Sequence, residues 1–281
     1  MLIAQITDLH IQPKGDLAYG LVDTNQLLAT AVAHLNRLRP QPDVVIATGD
    51  LVDNGTIAEY EMLRQLLAPL KAPLYLAMGN HDDRAAFRDV FGTLPYLPKS
   101  GVLHYVIEDY PLRLVVLDTL VAGASYGELD RDRLAWLEAQ LEAGRDRPTM
   151  IFMHHPPFVT GLPGMDRLRC RGSEALAAIV CRHPQIQRIA CGHLHRSIQT
   201  LWAGTLGSIA PSVAHQVALK LDPDISSAFV MEPPAFHLHL WNPDAGLITH
   251  TAYIGEFDAY SYKTKAPISL FADDHTPAPV A

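Results

Sequence analysis

Nowhere in the 281 residues is there an apolar run approaching the roughly 20 residues that a membrane-spanning helix needs. The opening "MLIAQITDLH" is apolar for only a few residues and has neither a basic leader nor a cleavage site, so a secretory signal is not expected. Cysteine is scarce and odd in number. Cys170, Cys181 and Cys191 lack zinc-finger spacing, and the reading they support is reduced thiols in a cytoplasmic protein, not a disulfide framework. Positive charge is also short, with 22 Lys and Arg against 30 Asp and Glu and a formal net charge of -8. Without a cationic footprint, neither a nucleic-acid polymer nor an anionic membrane is an expected partner. A glycine-rich phosphate loop is missing, which argues against nucleoside-triphosphate chemistry. Internal repeats and long linkers are missing too.

What is present is ample core material, 48% hydrophobic residues with 19% charged. Short apolar runs alternate with longer stretches of helical period. "MLIAQIT", "DVVIATG" and "PLYLAMG" read as buried strands, and "TNQLLATAVAHLNRL" places Leu27, Ala31, Leu35 and Leu38 on one helical face. "ELDRDRLAWLEAQLEAG" is a further amphipathic helix with Gly144 as its stop. Strand TMIFM, helix SEALAAIVCRH and strand IQRIAC follow, after which strands and turns dominate. The alternation predicts an α/β layered fold. One domain over residues 1–270 is expected, with a strand-rich cap or oligomer contact near 205–240 and a Pro-rich, unpacked tail over 271–281.

The informative pattern is what ends five of the apolar runs. "LIAQIT" closes on Asp8-Leu9-His10, "VVIATG" on Asp50 with Asp53 three further, and "LYLAM" on Gly79-Asn80-His81-Asp82. "TMIFM" closes on His154-His155-Pro156-Pro157, and "QRIAC" on Gly192-His193-Leu194-His195. Each alone has a bland reading: a turn, a cap or a solvent-facing histidine pair. In α/β sheets, however, the carboxyl ends of strands form the crevice where ligands bind. Five separate arrivals of Asp, Asn and His at that edge point to a metal site.

Ligand type narrows the chemistry. Neutral imidazoles with carboxylates suit borderline divalent ions such as zinc, manganese, iron or cobalt. Asp8, His10, Asp50, Asn80, His154, His193 and His195 are more donors than one ion needs. Two ions sharing a bridging carboxylate account for them. Such a pair generates hydroxide near neutral pH and clamps both oxygens of a phosphoryl displacement.

In their order, D-x-H, GD-x-x-D, GNHD, HHPP and GHxH resemble the calcineurin-like metallophosphoesterases over roughly residues 1 to 200. "YGLVDTNQLLATAVAHLNRL", "IFMHHPPF" and "APSVAHQV" are most similar to the bacterial glycerophosphodiesterase branch, near the class III cyclic-nucleotide phosphodiesterases. The resemblance implies a four-layer αββα sandwich with a dimetal site at one sheet edge, and it favours a homo-oligomer. It assigns Asp8, His10 and His195 to one ion and Asn80, His154 and His193 to the other, with Asp50 between them. Asn80 would bind through its amide oxygen, a weak donor that leaves its ion exchangeable. His81 would lie outside the ligand set, near the phosphoryl and leaving-group oxygens. The family's His-x-Pro selects His154 as the ligand of HHPP, with His155 supporting it, while Asp53 and Asp82 are read as orienting residues. His215 resembles a pocket residue of the same branch.

The expected activity is hydrolysis of a small phosphodiester by in-line attack of hydroxide, with His81 and Asn80 in the catalytic centre. His81, His215 and Tyr19 are the expected substrate contacts. Specificity is expected from the loop after His10, from residues 156–170 and from the region 205–240. A glycerophosphodiester is the favoured substrate. A 3′,5′-cyclic nucleotide or a phosphomonoester is the alternative, and a non-catalytic metal-binding scaffold the remote one.

Overall fold

The structure, a computed structural model, describes residues 1–222 and 228–271. The expected tail therefore lies outside the described residues apart from Phe271. The chain begins with three strand–helix units: β1 (Leu2–Ile6), α1 (Thr24–Arg37), β2 (Val44–Thr48), α2 (Ile57–Leu67), β3 (Leu74–Ala77) and α3 (Arg84–Phe91). A second series follows with β4 (Tyr105–Ile107), β5 (Arg113–Leu117), α4 (Arg131–Ala143), β6 (Thr149–Met153), α5 (Pro163–Asp166), α6 (Ser173–Cys181) and β7 (Ile186–Cys191). Next come β8 (Ile198–Trp202), β9 (Thr205–Ile209), β10 (Gln216–Val217), β11 (Phe229–Val230), β12 (Ala235–Asn242), β13 (Gly246–Tyr253), β14 (Ala259–Tyr260) and β15 (Pro267–Ile268).

The long strands form two sheets, one of five strands ordered β13-β12-β1-β2-β3 and one of six ordered β4-β5-β6-β7-β9-β8. β1, β2 and β3 run parallel, as do β5, β6, β7 and β9. Antiparallel strands β13, β4 and β8 form three of the four edges, and parallel β3 forms the fourth.

Strand alternation shows how the layers stack. On β5 and β6, Leu114, Val116, Met150 and Phe152 join the core that also contains Ile3 and Ile46 of the first sheet. Their neighbours Val115, Leu117, Ile151 and Met153 point the other way, onto Leu137 and Leu141 of α4 and Leu176 of α6. Leu28 and Leu35 of α1, Tyr60 and Leu63 of α2 and Phe87 of α3 cover the outer face of the first sheet. The order is helices, sheet, sheet, helices, as the four-layer expectation has it.

The stretch expected as a cap, 205–240, divides on inspection. Residues Thr205–Ile209 are β9 inside the six-stranded sheet, and Ala235–Asn242 are β12 beside β1. What stands apart is the small pair β10–β11, with Gln216 opposite Val230 and Val217 opposite Phe229. The apolar content of β9 and β12 belongs to the sheets; a sequence window of strands and turns does not separate the two roles.

Candidate metal centre

The turns after β1, β2 and β7 carry an unusual backbone. Asp8, His10, Asp50, His193 and His195 all have φ between 46° and 72°. Non-glycine residues rarely occupy this left-handed region, and when they do they cluster at functional sites. The bend turns each side chain back over the strand ends. Two glycines make room: a Cβ on Gly79 would sit 2.2 Å from Asp50 Oδ1, and one on Gly49 would sit 2.6 Å from His154 Nδ1.

The seven candidate donors converge. His10 Nε2 and His195 Nε2 are 3.2 Å apart, and Asp8 Oδ1 lies 3.3 Å from His195 Nε2. Asp50 Oδ2 lies 3.2 Å from His154 Nε2 and 3.8 Å from His10 Nε2, between the two histidine groups. His193 packs against His154, with ring centroids 5.1 Å apart. Asn80 Oδ1 is 3.1 Å from His155 Nε2, on the His154 side.

The outward face of three of these rings is tied down. His10 Nδ1 meets Asp53 Oδ1 at 3.0 Å, His154 Nδ1 meets the Thr48 carbonyl at 2.8 Å, and His195 Nδ1 meets the His215 carbonyl at 2.8 Å. Carbonyls and carboxylates only accept, so these Nδ1 atoms carry the proton and the Nε2 lone pairs face inward. Buried His154 Nε2 and His193 Nε2 have no hydrogen-bond partner. His195 Nε2 has a second imidazole nitrogen at 3.2 Å and a carboxylate oxygen at 3.3 Å, and such lone pairs repel unless a cation lies among them. The donor set thus fits divalent metal ions, in the pattern of ligand histidines oriented by outer carbonyls and carboxylates.

The electrostatics agree. Burial opposes charge at Asp8, yet His195 and His154 hold its carboxyl down at about 2. Asp50 falls well below the ordinary carboxylate range against the same burial, under His154, His81 and His10. His154 rises to about 9 despite burial, drawn up by Asp50 and Asp8. Two ionised, buried carboxylates recruit positive charge, and a proton or a metal ion can supply it.

The remaining predicted residues are nearby. The His81 backbone N–H donates to Asp50 Oδ1 at 2.9 Å, and its Nδ1 lies 2.7 Å from the Asp53 carbonyl. Burial lowers the His81 pKa, but Asp50 and Asp53 outweigh it and the net shift is upward. Asp82 accepts from Gly79 N–H, Leu51 N–H and the Tyr60 hydroxyl, which anchors the GNHD turn. Burial and Asp50 push its carboxyl up to about 7 all the same. His215 lies against His195 and Tyr19, with centroids 4.7 and 5.2 Å away.

A cavity of about 310 Å³ opens over the cluster, lined by Asn80, His81 and His215 among the histidine-rich floor and by Tyr19, Met165, Leu168 and Phe229 on its walls. The three stretches read from sequence as specificity regions each reach it. Ser125, Met165, Leu168 and Phe229 themselves were not anticipated. No spacing marks them, because they come from irregular loops or very short elements.

Residues 1–197 match the family described as Calcineurin-like phosphoesterase. A probable glycerophosphodiester phosphodiesterase from Arcobacter nitrofigilis is 42% identical over 259 residues, covering 92% of this chain and 95% of the relative. A probable cyclic nucleotide phosphodiesterase from Rhodopseudomonas palustris is 40% identical over 239 residues, covering 84% and 86%. Among solved structures, a dimetal phosphatase from Danio rerio superposes with a TM-score of 0.62 at 15% identity, over 91% of this chain and 99% of that one; the likeness is one of fold. With the ordered motifs gathered at one sheet edge and the match spanning most of its length, the chain belongs to the calcineurin-like phosphoesterase family.

Proposed function

We propose that the chain hydrolyses small phosphodiesters, glycerophosphodiesters foremost, with two divalent ions held at the joined edges of its sheets. The observation that carries this reading is the set of inward-facing lone pairs on His10, His154 and His195, each fixed by a hydrogen bond on its outer side. Asp8, His10 and His195 would hold one ion and Asn80, His154 and His193 the other, and Asp50 Oδ2 lies between the groups. When bound, divalent ions supply a nucleophile at neutral pH and neutralise charge on the phosphoryl oxygens.

The chain's own residues would do the rest. His81, its side chain 36% exposed at the cavity, is the group free to reach a leaving oxygen. Its raised pKa favours the protonated form that an acid needs. Tyr19 and His215 would contact the alcohol beyond the phosphate. A metal-free scaffold has no reason to keep two unpartnered imidazole nitrogens buried beside ionised carboxylates, since each costs free energy.

The relatives support a diester substrate: one is named for glycerophosphodiesters and the other for cyclic nucleotides. The second reading has an observation of its own. Tyr19 and Phe229 are stacked 4.9 Å apart at the cavity wall, an apolar surface that a nucleobase could cover. Replacing His81 by Ala is the discriminating test of the acid role. Hydrolysis of diesters with alkyl leaving groups should fall about 10²–10⁴-fold, with a much smaller loss on activated aryl diesters. Equal losses on both would remove His81 from that role.

A further inference from the structure

Away from the cavity, the space between the two sheets contains a second polar cluster. Arg188 of β7 is only 5% exposed. In the sheet register it stands beside Met150, whose side chain faces the other sheet. Its Nε and Nη1 have no hydrogen-bond partner, and no carboxylate pairs with it among the described residues. A guanidinium with two buried, unpaired nitrogens and no counter-charge is costly to keep, because the charge has given up part of its hydration without an opposite charge in return.

Across the gap, β12 presents His237 and His239, both fully buried. His239 is satisfied on both sides, by Thr249 Oγ1 at 2.7 Å and Gln5 Oε1 at 3.1 Å. His237 is not. Its Nε2 lies 3.2 Å from Ser197 Oγ, which lies 3.3 Å from Thr251 Oγ1, while its Nδ1 has no partner. If Thr251 donates to Ser197 and Ser197 to Nε2, the ring proton sits on Nδ1 as a free donor. Ser208 of β9, in register with Ala190 of the same core, has a fourth buried and unpartnered polar atom, its Oγ. Burial first, and Arg188 second, keep His237 down at about 4, so the histidine is neutral and Arg188 is the charge to be balanced.

Unpartnered polar atoms from both sheets thus face the layer between them, where Arg188 supplies a cation and no described carboxylate pairs with it. We propose that this inter-sheet space at Arg188 binds a small monovalent anion of the halide class, held by Arg188 with His237 and Ser208. The lining is buried, which suits a compact, weakly hydrated ion better than phosphate, whose desolvation is far costlier. Such an ion would stabilise the join between the sheets by binding the folded state alone.

Diffraction from crystals of the full-length, metal-loaded protein grown in bromide tests the site without any substitution. An anomalous bromide peak in hydrogen-bond contact with Arg188 is the expected result. Thermal unfolding at matched ionic strength supplies the second arm. Sodium chloride should raise Tm relative to sodium acetate in a dose-dependent way, and Arg188→Met should abolish the difference. Water alone at the position, a carboxylate from a second copy of the chain, or equal Tm in both salts would overturn the proposal.

Discussion

Asn80 is where residue chemistry matters most. A carboxamide oxygen carries no charge, so an ion that it helps to hold is bound more loosely than one held by a carboxylate. Asn80→Asp should therefore tighten the ion on the His154 and His193 side and slow turnover; a metal titration with unchanged affinity would contradict this. The adjoining His155 has a role that sequence left vague. Its ring is fully buried, with Thr119 Oγ1 2.8 Å from Nδ1 and Asn80 Oδ1 3.1 Å from Nε2. Burial beside His193 and His154 pushes its pKa far below the ordinary value, so the ring is neutral and has one proton. Because Oδ1 only accepts, that proton belongs on Nε2, and the Thr119 hydroxyl donates to Nδ1. His155 thereby aims the amide oxygen. His155→Phe should weaken ion binding on that side by about tenfold, the worth of roughly one charge-free hydrogen bond. The effect should vanish in an Asn80→Ala background, whereas a general packing defect would persist there.

At the scale of elements, the sequence was most legible where a strand stops. Short apolar runs that end on Gly, Asp or His located β1, β2, β3, β6 and β7 and the residues at their ends, because a buried parallel strand has to be apolar and its exit does not. The left-handed backbone at Asp8, His10, Asp50, His193 and His195 could not be seen, since those residue types adopt it only when the surroundings enforce it. The mouth was legible by region but not by its wall residues Met165, Leu168 and Phe229: α5 is a single turn and β10 and β11 are two residues each, too short for any period. The GNHD turn is also tied to α2 in a way that no motif signals. Tyr60 of α2 donates its hydroxyl to Asp82 Oδ1 at 2.9 Å and accepts from Asp83 N–H at 2.9 Å, and Asp83 caps α3. Tyr60→Phe leaves a carboxylate oxygen and an N–H short of a partner. It should cost about 1–3 kcal/mol, read as a lower denaturation midpoint with an unchanged m-value.

For the whole molecule, the arrangement of layers explains why the site needs the complete fold. The first sheet brings Asp8, His10, Asp50 and Asn80, and the second brings His154, His193 and His195. Neither sheet alone brings all seven side chains, and Asp50 Oδ2 of the first lies 3.2 Å from His154 Nε2 of the second. No helix among the described residues is long and apolar enough to cross a membrane, in keeping with the absence of apolar runs. The measurement closest to the central claim is a metal titration of chelator-stripped protein, counting bound ions per chain while following glycerophosphodiester hydrolysis in the same samples. The account predicts negligible activity at zero ions, saturation at two ions per chain, and hydrolysis that rises as the second site fills. Full activity without metal, saturation at a single ion, or two bound ions with no diesterase activity would contradict it.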